Sequence, residues 1–259
     1  MNARHLLRDL VTLTKPGVTR MCALTAAGAA WLALHSKDSP FPAETAADGW
    51  CSPGFAAAFA GVVGASLAVA GASALNMWIE RSRDPLMART STRPLARARD
   101  RMAPATALRF ALGLCAAALL ILWLYTNPLT TLLAAWAIVG YAFVYTPLKY
   151  RTPLALVIGA VPGAMPPLLG WTAVTGHVDP AGLSLFAILL VWQMPHFLAI
   201  TLFRQDEFAR AGIRCVPVVR GEFVTRVQAL FWTMLLVPIS LLPSVIGLTS
   251  LRYVGVMAV

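Results

Sequence analysis

The chain has 259 residues, 58% of them hydrophobic and only 12% charged, with a mean hydropathy of +0.70 and a formal net charge of +10. Soluble domains carry about 25% charged residues, so a water-soluble enzyme is excluded and the chain reads as an all-α membrane protein. A helix needs about 20 mostly apolar residues to cross the hydrocarbon, where no water satisfies the backbone.

In chain order, the first predicted span runs from about Pro16 to Leu34 and contains Arg20, which can snorkel from a helix end. A Pro- and Ala-rich loop from about His35 to Pro53 follows, then a second span from Gly54 to Leu75. The uncharged run from Phe110 to Leu148 is too long for one span. It breaks at Thr126, Asn127 and Pro128, a turn signal, giving spans three and four. Further runs cover Thr152 to Gly176, Pro180 to Phe203 and Val227 to Leu251, making seven in all. The apolar tail Tyr253 to Val259 reads as the start of an eighth helix.

Sorting Lys and Arg onto alternate loops puts 19 of the 21 on one side, leaving only Lys37 and Arg252 on the other. Lys and Arg accumulate on cytoplasmic loops, so the N-terminus is expected inside. Topology accounts for the positive charge, and nucleic acid is not needed as a partner. The four cysteines, Cys22, Cys51, Cys115 and Cys215, show neither paired nor metal-ligand spacing, and no disulfide is expected. No cleavable signal peptide or convincing transit peptide is read at the start.

Two inside loops are long and rich in both charge signs, about Asn76 to Arg109 and about Arg204 to Arg226. Each follows the second helix of a four-helix set, a weak internal duplication in loop placement. Such loops would face each other across one cavity.

In the first loop, Asn76, Glu80 and Asp84 stand at i, i+4 and i+8, on one face if helical. Pro85 disfavours helix at Asp84, so the helix is expected to end there. Three oxygen donors converging at a membrane surface suit Mg²⁺, which takes a few carboxylates plus substrate phosphates. Arg89 and Arg93 then suit a diphosphate, because guanidinium matches phosphate oxygens bidentately. The competing reading is a solvated loop of scattered ion pairs. Against it, Asn76 and Glu80 carry polarity into the end of a span, where charge is costly.

The second loop offers adjacent Asp206 and Glu207, of which one would reach a shared metal, and Lys149 with Arg151 adds a basic patch on the same side. His196 lies inside span six, two turns before Arg204. It reads either as a histidine hydrogen-bonded between helices or as a contact to a metalloporphyrin. The Gly- and Pro-rich stretch Gly159 to Gly170 reads as close helix packing or as a kink shaping a pocket.

These blocks carry a resemblance. The chain is similar to the UbiA superfamily of membrane prenyltransferases and, within it, to the haem-modifying protohaem IX farnesyltransferase (haem O synthase) branch. The similarity runs from Thr14 to Thr19, through Asn76 to Pro94, Tyr145 to Lys149, Ile158 to Trp171 and Trp192 to Phe197, to Phe203 to Ile213 and Pro217 to Val219.

The resemblance implies one domain over residues 1–259, with about nine helices around a central cavity. Two of those helices would be missing here, as if the chain were truncated at its C-terminus. It also implies transfer of a farnesyl group from farnesyl diphosphate to a vinyl group of haem B, with addition of water, to give haem O. By position, Asn76, Glu80, Asp84 and Asp206 would hold Mg²⁺, with Glu207 in the facing acidic motif. Arg89, Arg93 and Lys149 would stabilise the leaving diphosphate, and His196 would contact haem. With no convincing organelle signal before the first span, a bacterial inner membrane is expected, and the Lys and Arg bias puts the site toward the cytoplasm. The resemblance adds haem A synthase or oxidase assembly proteins as candidate partners.

Ser82, Arg83 and Pro85 depart from the family's acidic core by replacing an acidic and an apolar residue and adding a proline. Two other functions compete. A UbiA-type enzyme with an aromatic or quinone-precursor acceptor would share the metal site and tolerate loss of His196. A non-catalytic haem- or lipid-binding protein would tolerate loss of Glu80 and Asp84.

Overall fold

The computed structural model describes residues 3–37, 39–41, 52–96, 101–250, 253 and 255. Among them there are helices and turns and no strand. A short amphipathic helix, α1 (Ala3–Leu13), precedes the first span and was not anticipated. Its Leu13 is buried, Leu6 and Leu10 pack on the core, and Asp9 pairs with Arg101 at 3.2 Å.

Seven helical segments are long and apolar enough to cross a membrane. They are α2 (Pro16–Leu34), α3 (Pro53–Glu80), α4 (Pro104–Tyr125), a composite segment Pro128–Leu148, a broken segment Ala155–Thr175, α9 (Pro180–Phe203) and α11 (Val216–Val245). The composite segment comprises α5 (Pro128–Val139), a π-helical stretch Gly140–Tyr145 and α6 (Thr146–Leu148). The broken one comprises α7 (Ala155–Gly163) and α8 (Met165–Thr175). A further short helix, α10 (Gln205–Arg210), lies between α9 and α11.

Local signals account for several boundaries. Pro stands in the first turn of α2, α3, α4, α5, α8, α9 and α11, where a missing N–H costs nothing. Ser52, Asn127 and Asp179 cap their helices with side-chain oxygens that accept from Phe55, Thr130 and Gly182.

The core is built on small residues. α3 packs against α2, α4 and α8, and much of its buried surface is Ala and Gly. Lipid is as apolar as a leucine, so helices associate in it through close van der Waals contact. Gly64 faces Leu122, Gly71 faces the Cys115 Sγ, and Gly170 of α8 faces the backbone carbonyl of Ala26 in α2. Large apolar side chains such as Trp123, Leu132, Phe231 and Met234 are left exposed on the outside, as a bilayer solvent allows.

The Gly- and Pro-rich stretch packs closely and is also kinked, but none of its residues lines the two cavities. Its glycines allow close approach, and the chain breaks at Ala164 between α7 and α8, with Pro162 before and Pro166 and Pro167 after. The last span needs correction. It starts at Val216, eleven residues before the expected Val227, because the charges at Arg220, Glu222 and Arg226 hid a helix that begins at the polar boundary. Gly221 (φ 82°, ψ 169°) bends it there, in a conformation that only glycine adopts freely. Cys51 and almost all of the tail expected to begin an eighth helix lie outside the described residues. Cys22, Cys115 and Cys215 are free thiols.

Candidate active site

Asn76 and Glu80 sit one turn apart at the end of α3, and Asp84 follows on a 3₁₀ turn, Asp84–Leu86. All three are buried, Asp84 completely. The helix ends four residues before Asp84, and compact turns then carry the chain back over the site. The buried Thr90 hydroxyl donates to the Asp84 carbonyl at 2.6 Å and fastens that return.

The carboxylates are held by cations. Arg93 Nη1 donates to Asp84 Oδ1 at 2.7 Å and lies 3.8 Å from Glu80 Oε2. Lys149 Nζ pairs with Glu80 Oε1, and the Tyr150 hydroxyl donates to that same oxygen at 3.1 Å. Arg83, one of the departures noted above, stacks its guanidinium 3.7 Å from the Tyr150 ring centroid. Arg83 therefore props the ring whose hydroxyl orients Glu80.

Sequence reasoning assigned no role to Lys15, Tyr150 or Arg214. Lys15 connects α1 to α2 in the left-handed conformation (φ 48°, ψ 68°), the one non-glycine residue with positive φ among the described residues. A side chain there costs about 1–2 kcal/mol, and such strain gathers at functional positions. Its Nζ donates to Asn76 Oδ1 at 2.8 Å and approaches the Tyr141 hydroxyl at 3.4 Å. The Asn76 amide in turn donates to Thr146 Oγ1 at 3.1 Å. Tyr141 belongs to the π-helical stretch and Thr146 follows it, so the irregular turn brings both toward the site. The backbone outlier is the signal that identifies Lys15, and it exists only in three dimensions.

Burial dominates the electrostatics. It pushes the Asp84 carboxyl up to about 6, against the pull of Arg93. Burial, aided by the charge of Arg93, lowers Lys15 to about 8. Lys149 is lowered by burial and partly restored by Glu80. Arg89 is lowered by burial and by the neighbouring charges of Arg93 and Arg204.

One buried side-chain polar atom has no hydrogen-bond partner among the described residues, and it is Asp84 Oδ2. A buried carboxylate oxygen left bare is costly, and a cation there would offset that cost. No group of three or more His, Cys, Asp and Glu among the described residues converges to hold a metal alone. Two carboxylates with room for substrate phosphates fit Mg²⁺, which rarely sits in an all-protein cage.

The cavity beside these groups has a volume of about 230 Å³. Glu80, Arg89, Arg93, Lys149 and Arg214 supply its charge, and Leu156, Phe197 and Ile200 supply apolar wall. The two charged loops meet across it, joined by contact of Met87 with Ala211 and Ile213.

The second acidic pair splits. Neither residue lines the cavity; Asp206 is exposed, while Glu207 is half-buried and pairs with Arg204 at 3.3 Å. Successive helical residues point about 100° apart, so α10 cannot aim both inward. His196 is also exposed. It stacks on Trp192 at 5.0 Å and makes no hydrogen bond among the described residues, so it does not bridge helices. Its neighbour Phe197, 5.6 Å away, lines the cavity.

The model of the UbiA prenyltransferase family matches residues 21–259. A protoheme IX farnesyltransferase of Sorangium cellulosum is 45% identical over 235 residues, covering 91% of this chain and 83% of the relative. The Myxococcus xanthus protein of the same name is 42% identical over 260 residues, covering 98% and 82%. Among solved structures, a UbiA homolog from Archaeoglobus fulgidus bound to DMAPP and Mg²⁺ superposes with a TM-score of 0.68 at 14% identity, covering 96% of this chain and 81% of that one. A digeranylgeranylglyceryl phosphate synthase gives 0.70 at 16% identity, covering 97% and 82%. These two share the fold. Buried acidic site, cation ring, helical bundle and sequence similarity lead to one conclusion: the chain belongs to the UbiA prenyltransferase family.

Proposed function

We propose that this protein is a protohaem IX farnesyltransferase, moving the farnesyl group of farnesyl diphosphate onto a vinyl group of haem B to make haem O. The observation that carries the reading is the buried Asp84 Oδ2, without a hydrogen-bond partner among the described residues, on a carboxylate that shares Arg93 with Glu80, which lines a cationic cavity, in a chain 45% identical over 235 residues to a protein of that name.

In this reading Glu80 and Asp84 hold Mg²⁺, with Asn76 one turn away. When bound, Mg²⁺ neutralises charge building on the diphosphate oxygens. Arg93 and Lys149 exchange their present carboxylate partners for the diphosphate, and Arg89 joins them. The bond from farnesyl C1 to the diphosphate oxygen breaks, and its electron pair leaves with the diphosphate. Cations fixed where that charge develops lower the barrier. The vinyl π pair of haem then forms the new carbon–carbon bond. The resulting cation beside the porphyrin takes the oxygen of water and releases a proton. Farnesyl diphosphate, haem B and water thus give haem O, diphosphate and a proton. Leu156, Phe197 and Ile200 keep water from the allylic cation until the carbon–carbon bond has formed. In this reading His196 touches the acceptor ring, a role supported by its stacking on Trp192 and its contact with Phe197, which lines the cavity. Asp206 has no such support, and Glu207 is the better candidate for the facing acidic group.

The strong one-sided bias of Lys and Arg supports a site on the cytoplasmic face of a bacterial inner membrane.

The test is a membrane assay with haem B, farnesyl diphosphate and Mg²⁺, resolving haem O by chromatography beside a Glu80→Ala/Asp84→Ala control. Metal-dependent haem O that vanishes in the control is the expected result. Turnover of an aromatic acceptor in place of haem B would sink the reading.

A further inference from the structure

The cations around the cavity are not equivalent. Arg93 and Lys149 are engaged by Glu80 and Asp84, and Arg89 lies in the field of Glu207 and Asp84. Arg214 comes from the segment after α10, where its backbone N–H donates to the Lys149 carbonyl at 2.9 Å. Arg214 lines the cavity, is exposed, and has no acidic partner among the described residues.

A second cavity of about 250 Å³ adjoins the first and shares Pro153, Leu156 and Val216 as its wall. Its lining is apolar apart from Gln228 and one cation, Arg220. Arg220 too is exposed and lacks an acidic partner among the described residues. It is the last residue before the bend at Gly221. Two neighbouring compartments thus share an apolar partition, and each is lined by an arginine with no acidic partner among the described residues.

We propose that Arg214 and Arg220 hold the two propionate carboxylates of the acceptor porphyrin, whose apolar ring lies against the Leu156 and Val216 partition. The inference rests on haem B being the acceptor. The spacing of charge supports it. A diphosphate is compact and multiply charged, and matches the clustered Arg89, Arg93 and Lys149. Arg214 and Arg220 are six residues apart, two extended steps and then about one turn of α11, so their Cα atoms are separated by at most roughly 13 Å. Two separated single charges flanking an apolar wall fit a flat apolar body with two carboxylates. A phospholipid brings one phosphate and would use one of the two cations.

The experiment titrates haem B and its dimethyl ester into the purified full chain, read by the Soret band, in nanodiscs of neutral lipid. Wild type should bind the diacid about tenfold or more tightly than the ester, as expected for charge-assisted hydrogen bonds to carboxylate. Arg214→Gln and Arg220→Gln should each lose affinity for haem B and leave ester binding unchanged, with Arg214→Lys recovering part of the loss. The KM for farnesyl diphosphate should not move.

Equal wild-type affinity for acid and ester would overturn the proposal, and needs no variant. A raised KM for farnesyl diphosphate in Arg214→Gln, with haem affinity intact, would reassign that residue to the diphosphate. An Arg220→Gln effect seen only with phosphatidylglycerol in the disc would make that cation a lipid contact. Acid-over-ester preference without any haem O formation would leave the carboxylate site standing and remove the transferase reading instead.

Discussion

Asp84 Oδ1 accepts from Arg93 at 2.7 Å, while Oδ2 is buried without a partner among the described residues. With its carboxyl pushed up to about 6 from 3.8 by burial, the metal-free folded chain binds the Asp84 proton more tightly than the unfolded chain does. The stability this contributes is present below about 3.8 and is lost as pH rises through about 6. A cation bound to the carboxylate offsets that loss, so proton and Mg²⁺ compete. The rise in Tm caused by Mg²⁺ should therefore be largest above pH 6 and fade below it, a trend thermal scans at pH 7.5 and 5.5 would reveal. Asp84→Asn should abolish the trend. Lys15 offers a second test. Lys15→Gly accepts the left-handed turn but removes the ammonium from Asn76, and loss of a charged hydrogen bond is worth about 1.5–3 kcal/mol. Turnover should fall about 10- to 100-fold with little change in Tm. Lys15→Val should also lower Tm, because a β-branched residue resists that backbone.

At the level of helices, close approach through small residues makes the sharpest prediction. A Cβ on Gly170 would strike the Ala26 backbone carbonyl, which cannot move without separating α2 from α8. Gly170→Ala should destabilise the bundle by roughly 1–3 kcal/mol, read as a lower Tm in detergent. Gly113 in α4 is the control, since a Cβ there meets nothing within 4 Å. Gly113→Ala should be neutral or slightly stabilising, because Ala is the better helix former by about 1 kcal/mol. Helix starts marked by Asn127 and by Pro180 were readable from local chemistry alone. The start of α11 was not, because hydropathy weighs Arg220, Glu222 and Arg226 against a span, although a helix can begin among charged residues at the polar boundary.

Across the whole molecule, the two charged loops converge on one end of the bundle, as their placement in the chain implied. That end also carries the cations which bias orientation. The chain has three lysines, of which Lys15 and Lys149 are tied into the site and Lys37 is exposed beyond α2. A membrane-impermeant amine reagent applied to intact cells should therefore modify Lys37, read by peptide mass. Labelling of Lys37 only after the membrane is opened would invert the proposed topology.

Composition and the spacing of apolar runs determined the membrane class, the seven spans and the polar end of the bundle, because the bilayer imposes helix length and charge placement on any chain within it. Side-chain spacing also brought out Asn76, Glu80 and Asp84, since four-residue steps are a local property of the helix. The tertiary structure alone decided which charges neutralise one another. Lys15 reaches Asn76 across 61 positions and Tyr150 reaches Glu80 across 70. It alone exposed His196 and Asp206, left Arg214 and Arg220 without acidic partners among the described residues, and strained Lys15. Such pairings depend on how helices distant in sequence pack, and small-residue contacts between them set that packing without any local periodicity to announce it.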